Sequence, residues 1–231
     1  MDNGSIELIN LTRWLVVATF SAAFVALFIA IFGKWLRSLI FYPSLEIECN
    51  LVQPNCEKTW RTRETGEKVE CYFFRILVKN DGRAKAESIE LLATELSKKH
   101  TDDNFHKIDS FIPMNLTWTH SFKAKYYPAI SKGMFRHCDL GYILKPEDRH
   151  KFINEDHEKF DKTQTIFGLE LEVKPNSLQH LFGPGIYRLK VLIASSSTEP
   201  IERTIEIKHI GEWIDDSKKM FDEGIGLKLV T

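Results

Sequence analysis

Two patterns of apolar residues divide the chain. From Trp14 to Gly33 twenty consecutive residues carry no charge, within the run RWLVVATFSAAFVALFIAIFGKW, and they are apolar on every side of a helix rather than along one stripe. At about 1.5 Å per residue such a helix covers the roughly 30 Å hydrocarbon thickness of a bilayer. The pattern predicts an N-terminal flank over 1–12 and a membrane-spanning helix with its extension over 13–42. The helix is expected to run on through WLRSLIFY and to stop before Pro43, because the residue preceding a proline is pushed out of the α region. Beyond Pro43 the period changes to two. In LEIECNL the residues Leu45, Ile47, Cys49 and Leu51 alternate with polar ones, and the same holds for Tyr72, Phe74, Ile76 and Val78 and for Tyr187, Leu189, Val191 and Ile193. This is the pattern of strands with one buried face. Further strands are predicted over 87–96, 112–119, 135–143, 167–173 and 201–208, separated by turn sequences at Asn80-Asp81-Gly82, Lys132-Gly133 and Gly183-Pro184-Gly185. The fold class is therefore mainly β: one transmembrane helix, then a two-sheet antiparallel sandwich over 44–231 with a polar insertion over 145–165. The tail GEWIDDSKKMFDEG reads as a short amphipathic helix, with Trp213, Ile214, Met220 and Phe221 near one side.

The ends of the apolar run carry Trp14 and Trp35 beside Arg13, Lys34 and Arg37, the mixture of indoles and snorkelling cations that suits a membrane interface. A cleaved secretory signal needs an apolar core of about 7–15 residues and a small-x-small site after it. Ser21 and Ala23 imitate such a site, but the apolar run continues to Phe32, so the segment reads as a retained anchor. Ala18, Ala22, Ala26 and Ala30 form one line of small side chains. Such a line lets two helices approach closely and points to a homodimer through the membrane segment; the plainer alternative is that alanine is common in apolar helices. Lys34 and Arg37 nearly balance Arg13 and the amino terminus in setting orientation. Cys49, Cys56, Cys71 and Cys138 follow neither a metal spacing nor a tight disulfide framework, which favours a reducing, cytoplasmic location at the cell membrane; two disulfides and an extracytoplasmic domain stay open.

Composition adds mainly exclusions. A formal net charge of -1 with 43% apolar residues suits a globular domain and removes a basic nucleic-acid clamp from consideration. No phosphate-binding loop, zinc-protease helix, nucleophile elbow or calcium loop occurs. Asp148, His150, Glu155 and His157 in the insertion are the best metal candidates, but the two histidines stand seven residues apart and a solvated loop accounts for them. Cys138 lies next to His137, yet neighbours on a strand point to opposite faces, so burial is the expected role of Cys138. Trp118 shares parity with Leu116 and Met114 and is expected on an inner sheet face, with ligand contact as the alternative. Tyr126 and Tyr127, in FKAKYYP, and Trp213 are the remaining aromatic candidates for contact with a ligand or partner. These residues call for no metal and no cofactor.

The stretches VKNDGRAKAESIEL, Val78–Leu91, and GPGIYRLKVLI, Gly183–Ile193, resemble the strand-turn-strand and late-strand patterns of bacterial and archaeal immunoglobulin-like modules of the adhesion-related type. The resemblance implies an immunoglobulin-like sandwich without catalytic residues. The insertion over 145–165 and the lack of a cysteine on the Tyr187 strand depart from that pattern. With the empty motif search it points to a single-pass membrane protein whose non-enzymatic domain binds a protein partner or serves as an assembly subunit. The alternative is a membrane-bound ligand sensor or enzyme with a pocket lined by Trp118, the histidines of the insertion and the loop HKIDSFIP.

Overall fold

The computed structural model describes residues 3–62, 65–121, 124–152 and 160–230; of the first helix, the side chains of 3–9, 34, 36, 38 and 39 are not described. The chain divides into two compact units, Met1–Tyr42 and Pro43–Thr231.

The first unit is helix α1, Asn3–Ile40. It begins well before Arg13, so the flank is helical too; no proline interrupts it, and Gly4 falls in the first turn, where glycine costs least. Within it Asn10–Gly33 has a mean hydropathy of 2.7. The helix is thus long and apolar enough to cross a membrane. It ends ahead of Pro43, as the restriction on pre-proline residues requires.

The second unit is an antiparallel sandwich. Its first sheet has the order β1–β3–β9–β10–β11, made of Leu45–Glu48, Lys68–Asn80, Phe135–Leu144, Phe167–Leu169 and Leu181–Phe182. Strand β2, Cys56–Thr62, follows β1 along the same edge of β3, and β7, Thr117–Trp118, shares an edge of β9 with β10. The second sheet has the order β14–β13–β12–β4–β5: Ile225–Val230, Thr198–His209, Gly185–Ser195, Ala86–Lys99 and Phe105–Lys107. Two further short strands, β6 (Met114–Asn115) and β8 (Tyr127–Ile130), line the same edge of β4 as β5. The central order, β1/β2–β3–β9–β7 against β4–β12–β13, is that of strands A-B-E-D against C-F-G in an immunoglobulin-like sandwich.

Alternation explains the core. Tyr72, Phe74, Ile76 and Val78 of β3 and Leu189, Val191 and Ile193 of β12 are all buried, and they meet Trp118, Leu140 and Phe167 in one cluster. The aromatic ladder Phe74–Phe167–Phe182–Tyr187, with ring centroids 5.5, 5.0 and 4.7 Å apart, runs between the sheets. Gly141 belongs to this packing: a Cβ there would meet the Gly168 carbonyl and come within 2.6 Å of the Phe167 ring.

Several expectations need correction. The strand expected over 112–119 is split: β6 pairs in the second sheet and β7 in the first, with Leu116 between them bridging to Leu171. The strand expected over 167–173 ends at Leu169, and Val173 is exposed. The expected short C-terminal helix does form, as Ser217–Lys219 (α2) and a wide turn, Met220–Gly224, with Asp216 capping the start by accepting from the Lys219 amide at 2.7 Å; only its beginning is later than expected. Trp213 and Ile214 precede it, outside any helix or strand. Strands β2, β5, β8, β11 and β14 were not expected. The insertion holds a short 3₁₀ turn, Pro146–Lys151, which the buried Arg149 pins by donating from Nη1 to the carbonyls of Asp161 at 2.9 Å and Gln164 at 2.5 Å.

Candidate functional site

On α1, Ala18, Ala22, Ala26 and Ala30 are all exposed, as are Arg13, Trp14, Trp35 and Arg37 at its two borders; the Lys34 side chain lies outside the described ones. The alanine line therefore stands open to another helix or to lipid.

On the sandwich the aromatic candidates part company. Trp118 is 1% exposed, and its ring lies 5.2 Å from that of Tyr127. It fills the core and presents nothing to a partner. Tyr127 is half-buried and its hydroxyl accepts from Arg136 Nε. Tyr126 is 49% exposed, so of this trio it alone offers a ring to solvent. Trp213 lies 4.7 Å from Tyr72, whose hydroxyl donates to the Ile214 carbonyl at 2.6 Å, while Lys58 and Lys145 approach the indole from 5.7 and 5.3 Å. Both lysines also pair with Glu70, at 3.2 and 2.9 Å. This network clamps the segment before α2 onto the sheet end and accounts for Trp213 as a closing residue.

Cys138 and His137 point to opposite faces, as the strand period demands. The Cys138 thiol donates to the Thr117 carbonyl at 3.1 Å inside the core, where burial raises its pKa, whereas His137 Nε2 lies 3.0 Å from Asn55 Oδ1 on the outer face. They form no nucleophile and base pair. Asp148 pairs with Lys151 at 2.8 Å and His150 is exposed; Glu155 and His157 lie outside the described residues. Among the described residues no group of three His, Cys, Asp or Glu side chains is placed to hold a metal.

Two polar arrangements on the outer face of the first sheet escaped sequence reasoning. Arg61 on β2 makes a bidentate pair with Glu170, Nη1 to Oε2 at 2.6 Å and Nη2 to Oε1 at 3.0 Å, and its guanidinium lies 4.2 Å from the centre of the Tyr142 ring. Asp139 accepts from Thr119 Oγ1 at 2.5 Å and lies 3.5 Å from Arg75 Nε; burial raises its carboxyl pKa all the same. Arg61 and Glu170 are engaged with each other through both nitrogens and both oxygens, and Asp139 is engaged with Thr119 and Arg75.

A concavity lies beside the Gly183-Pro184 corner where the chain passes from β11 in one sheet to β12 in the other. It encloses about 630 Å³, and Ile108 and Ser110 of the HKIDSFIP loop line it, whereas Trp118 and His150 do not. Compared with known proteins, the chain matches no family model, no curated protein and no solved structure.

Proposed function

We propose that the chain is a single-pass membrane protein that carries a non-catalytic immunoglobulin-like sandwich as a protein-binding or assembly module, on the cytoplasmic side of the cell membrane. The observation that carries the reading is the helical stretch Asn10–Gly33, with a mean hydropathy of 2.7 and Arg13 as its one charged residue. Water does not tolerate that surface, so lipid or a second helix covers it. The strand order supports kinship with adhesion-type modules: the Val78–Leu91 stretch ends β3, turns, and begins β4. Buried Asn80 organises that turn, with Nδ2 donating to the Ala84 and Ile130 carbonyls at 2.8 and 2.9 Å and Oδ1 accepting from the Ser44 and Gly82 amides at 3.1 Å each. Four unbridged cysteines support the cytoplasmic side, where the charges flanking the span nearly balance. Exposed Trp60 on the edge strand β2, at 61%, and Tyr126 are the contact residues favoured for a protein partner.

Alkaline carbonate extraction of membranes tests the anchor. The full chain is expected in the pellet at its full mass, and a chain starting at Pro43 in the supernatant. A full chain that is extracted, or that has lost its first helix by mass, ends the reading. A photo-crosslinker placed at Trp60 or Tyr126 in intact cells is expected to yield one discrete adduct that the same probe on the charged outer face of β13, at Glu202, does not give.

A further inference from the structure

The cleft at the Gly183-Pro184 corner joins the edge of the core to polar groups that the interaction role does not use. Its floor is apolar, formed by Leu96, Phe182 and Tyr187, and its size falls within the ~300–1,000 Å³ usual for small-ligand sites. On one wall stands Lys98, whose Nζ lies 5.5 Å from the centre of the Tyr187 ring and has no carboxylate within ion-pair distance among the described residues. On another stands Asp161, whose carboxylate accepts from the Thr163 amide at 2.8 Å and the Thr163 hydroxyl at 2.7 Å; these bonds lower its pKa and keep it charged. Gln179, in the same lining, has a buried side-chain oxygen that receives no hydrogen bond among the described residues, and an acceptor left so is costly unless something donates to it. A cation, an anion, an acceptor in want of a donor and an apolar floor together match a ligand with both charges on one end and an apolar group on the other. A peptide segment internal to a chain lacks both charges, a fatty acid lacks the cation, and an amine lacks the anion.

We propose that this cleft binds a free apolar α-amino acid, with the carboxylate toward Lys98 and Ser110, the ammonium toward Asp161 and the Gln179 oxygen, and the side chain on Leu96, Phe182 and Tyr187. The site goes beyond the partner-binding reading, and either stands if the other falls. Both charges lie near solvent, where ion pairs are screened, so binding is weak and suits sensing of an abundant pool.

The test uses the full chain in lipid nanodiscs. Leucine and phenylalanine are titrated by calorimetry and by thermal unfolding, since a ligand that binds only the folded state raises the midpoint with its concentration. Isocaproate lacks the ammonium and isopentylamine the carboxylate; each is expected to bind at least about tenfold more weakly than leucine, a loss of about 1.4 kcal/mol. D161N is expected to weaken leucine about tenfold while leaving isocaproate unchanged, and K98E to abolish both. D161N leaves the main-chain bond to Arg149 in place, so it serves even if K98E fails to fold. No saturable response to any apolar amino acid, or an equal response to leucine and its two half-analogues, overturns the proposal.

Discussion

Arg61 and Glu170 illustrate what single residues contribute here. Their side chains are 17% and 9% exposed, so removing one partner leaves a charge in a poorly hydrated place. Arg61→Met alone is expected to cost about 3 kcal/mol. Arg61→Met with Glu170→Leu is expected to return to within about 1 kcal/mol of the parent, because two matched apolar groups need no partner. Urea unfolding of the parent, Arg61→Met, Glu170→Leu and the double variant measures the cycle; a single variant as stable as the parent would show that water screens the pair. Acid sensitivity follows from two buried histidines. Burial lowers the pKa of both His180 and His209 to about 4. Between the unfolded value near 6.5 and that folded value the unfolded chain takes up protons that the fold refuses, so stability falls as pH falls, by up to about 1.4 kcal/mol per unit for each ring. Asp139, with a raised carboxyl pKa, runs the other way and offsets part of the loss. His209→Gln, which can keep the contact with Thr165 Oγ1 now 2.8 Å long, is expected to remove about half of the slope between pH 6.5 and 4.5 in the unfolding midpoint. Parity alone located Trp118 and Cys138 in the core. Nothing local revealed the Arg61–Glu170 pair, whose members are 109 residues apart, because on β2 polar side chains occupy both faces.

Elements with a partner on each side were legible, and those at the margins were not. Strands β3 and β12 lie inside their sheets and alternate along their length, and β9, also inside, is buried continuously from Leu140 to Leu144, whereas β5, β8 and β11 are short pieces whose place is set by the neighbouring ladder. The broken strand between Met114 and Trp118 is instructive. Both sheets turn their inner faces to one core, so a chain that crosses from one to the other keeps Met114, Leu116 and Trp118 inward, and the alternation carries no mark of the crossing. Strand β14 did carry a signal, Ile225, Leu227 and Leu229 at period two. Helix α1 supports a prediction at this scale. Residues four apart on a helix differ by about 40° in direction, so the line from Ala18 to Ala30 drifts around the cylinder and its middle pair, Ala22 and Ala26, is best placed to lie at the centre of a helix contact. Replacing both by Ile is expected to abolish the signal of a membrane two-hybrid assay, because a branched side chain holds the backbones apart. An unchanged signal would mean that the small residues are only filling an apolar helix.

For the whole molecule, the proposed anchoring makes the side of the membrane that holds the sandwich the decisive quantity, and its own thiols make this measurable. Cys56, Cys71 and Cys138 are wholly buried and Cys49 partly so, none is bridged, and burial pushes the thiols of Cys49, Cys56 and Cys71 up to about 12, 11 and 12. Maleimides react with thiolates, so these groups stay silent while the domain is folded. Lys132 stands exposed in the loop before β9, and Lys132→Cys supplies one reactive thiol on that silent background. The proposed cytoplasmic placement predicts protection of this thiol from an impermeant maleimide in sealed spheroplasts, labelling in inverted vesicles, and labelling of the native cysteines only after denaturation. Labelling in the sealed cells would reverse the orientation. It would also place an unbridged set of thiols on the oxidising side, where the core that buries them, rather than a reducing compartment, would be what keeps them free.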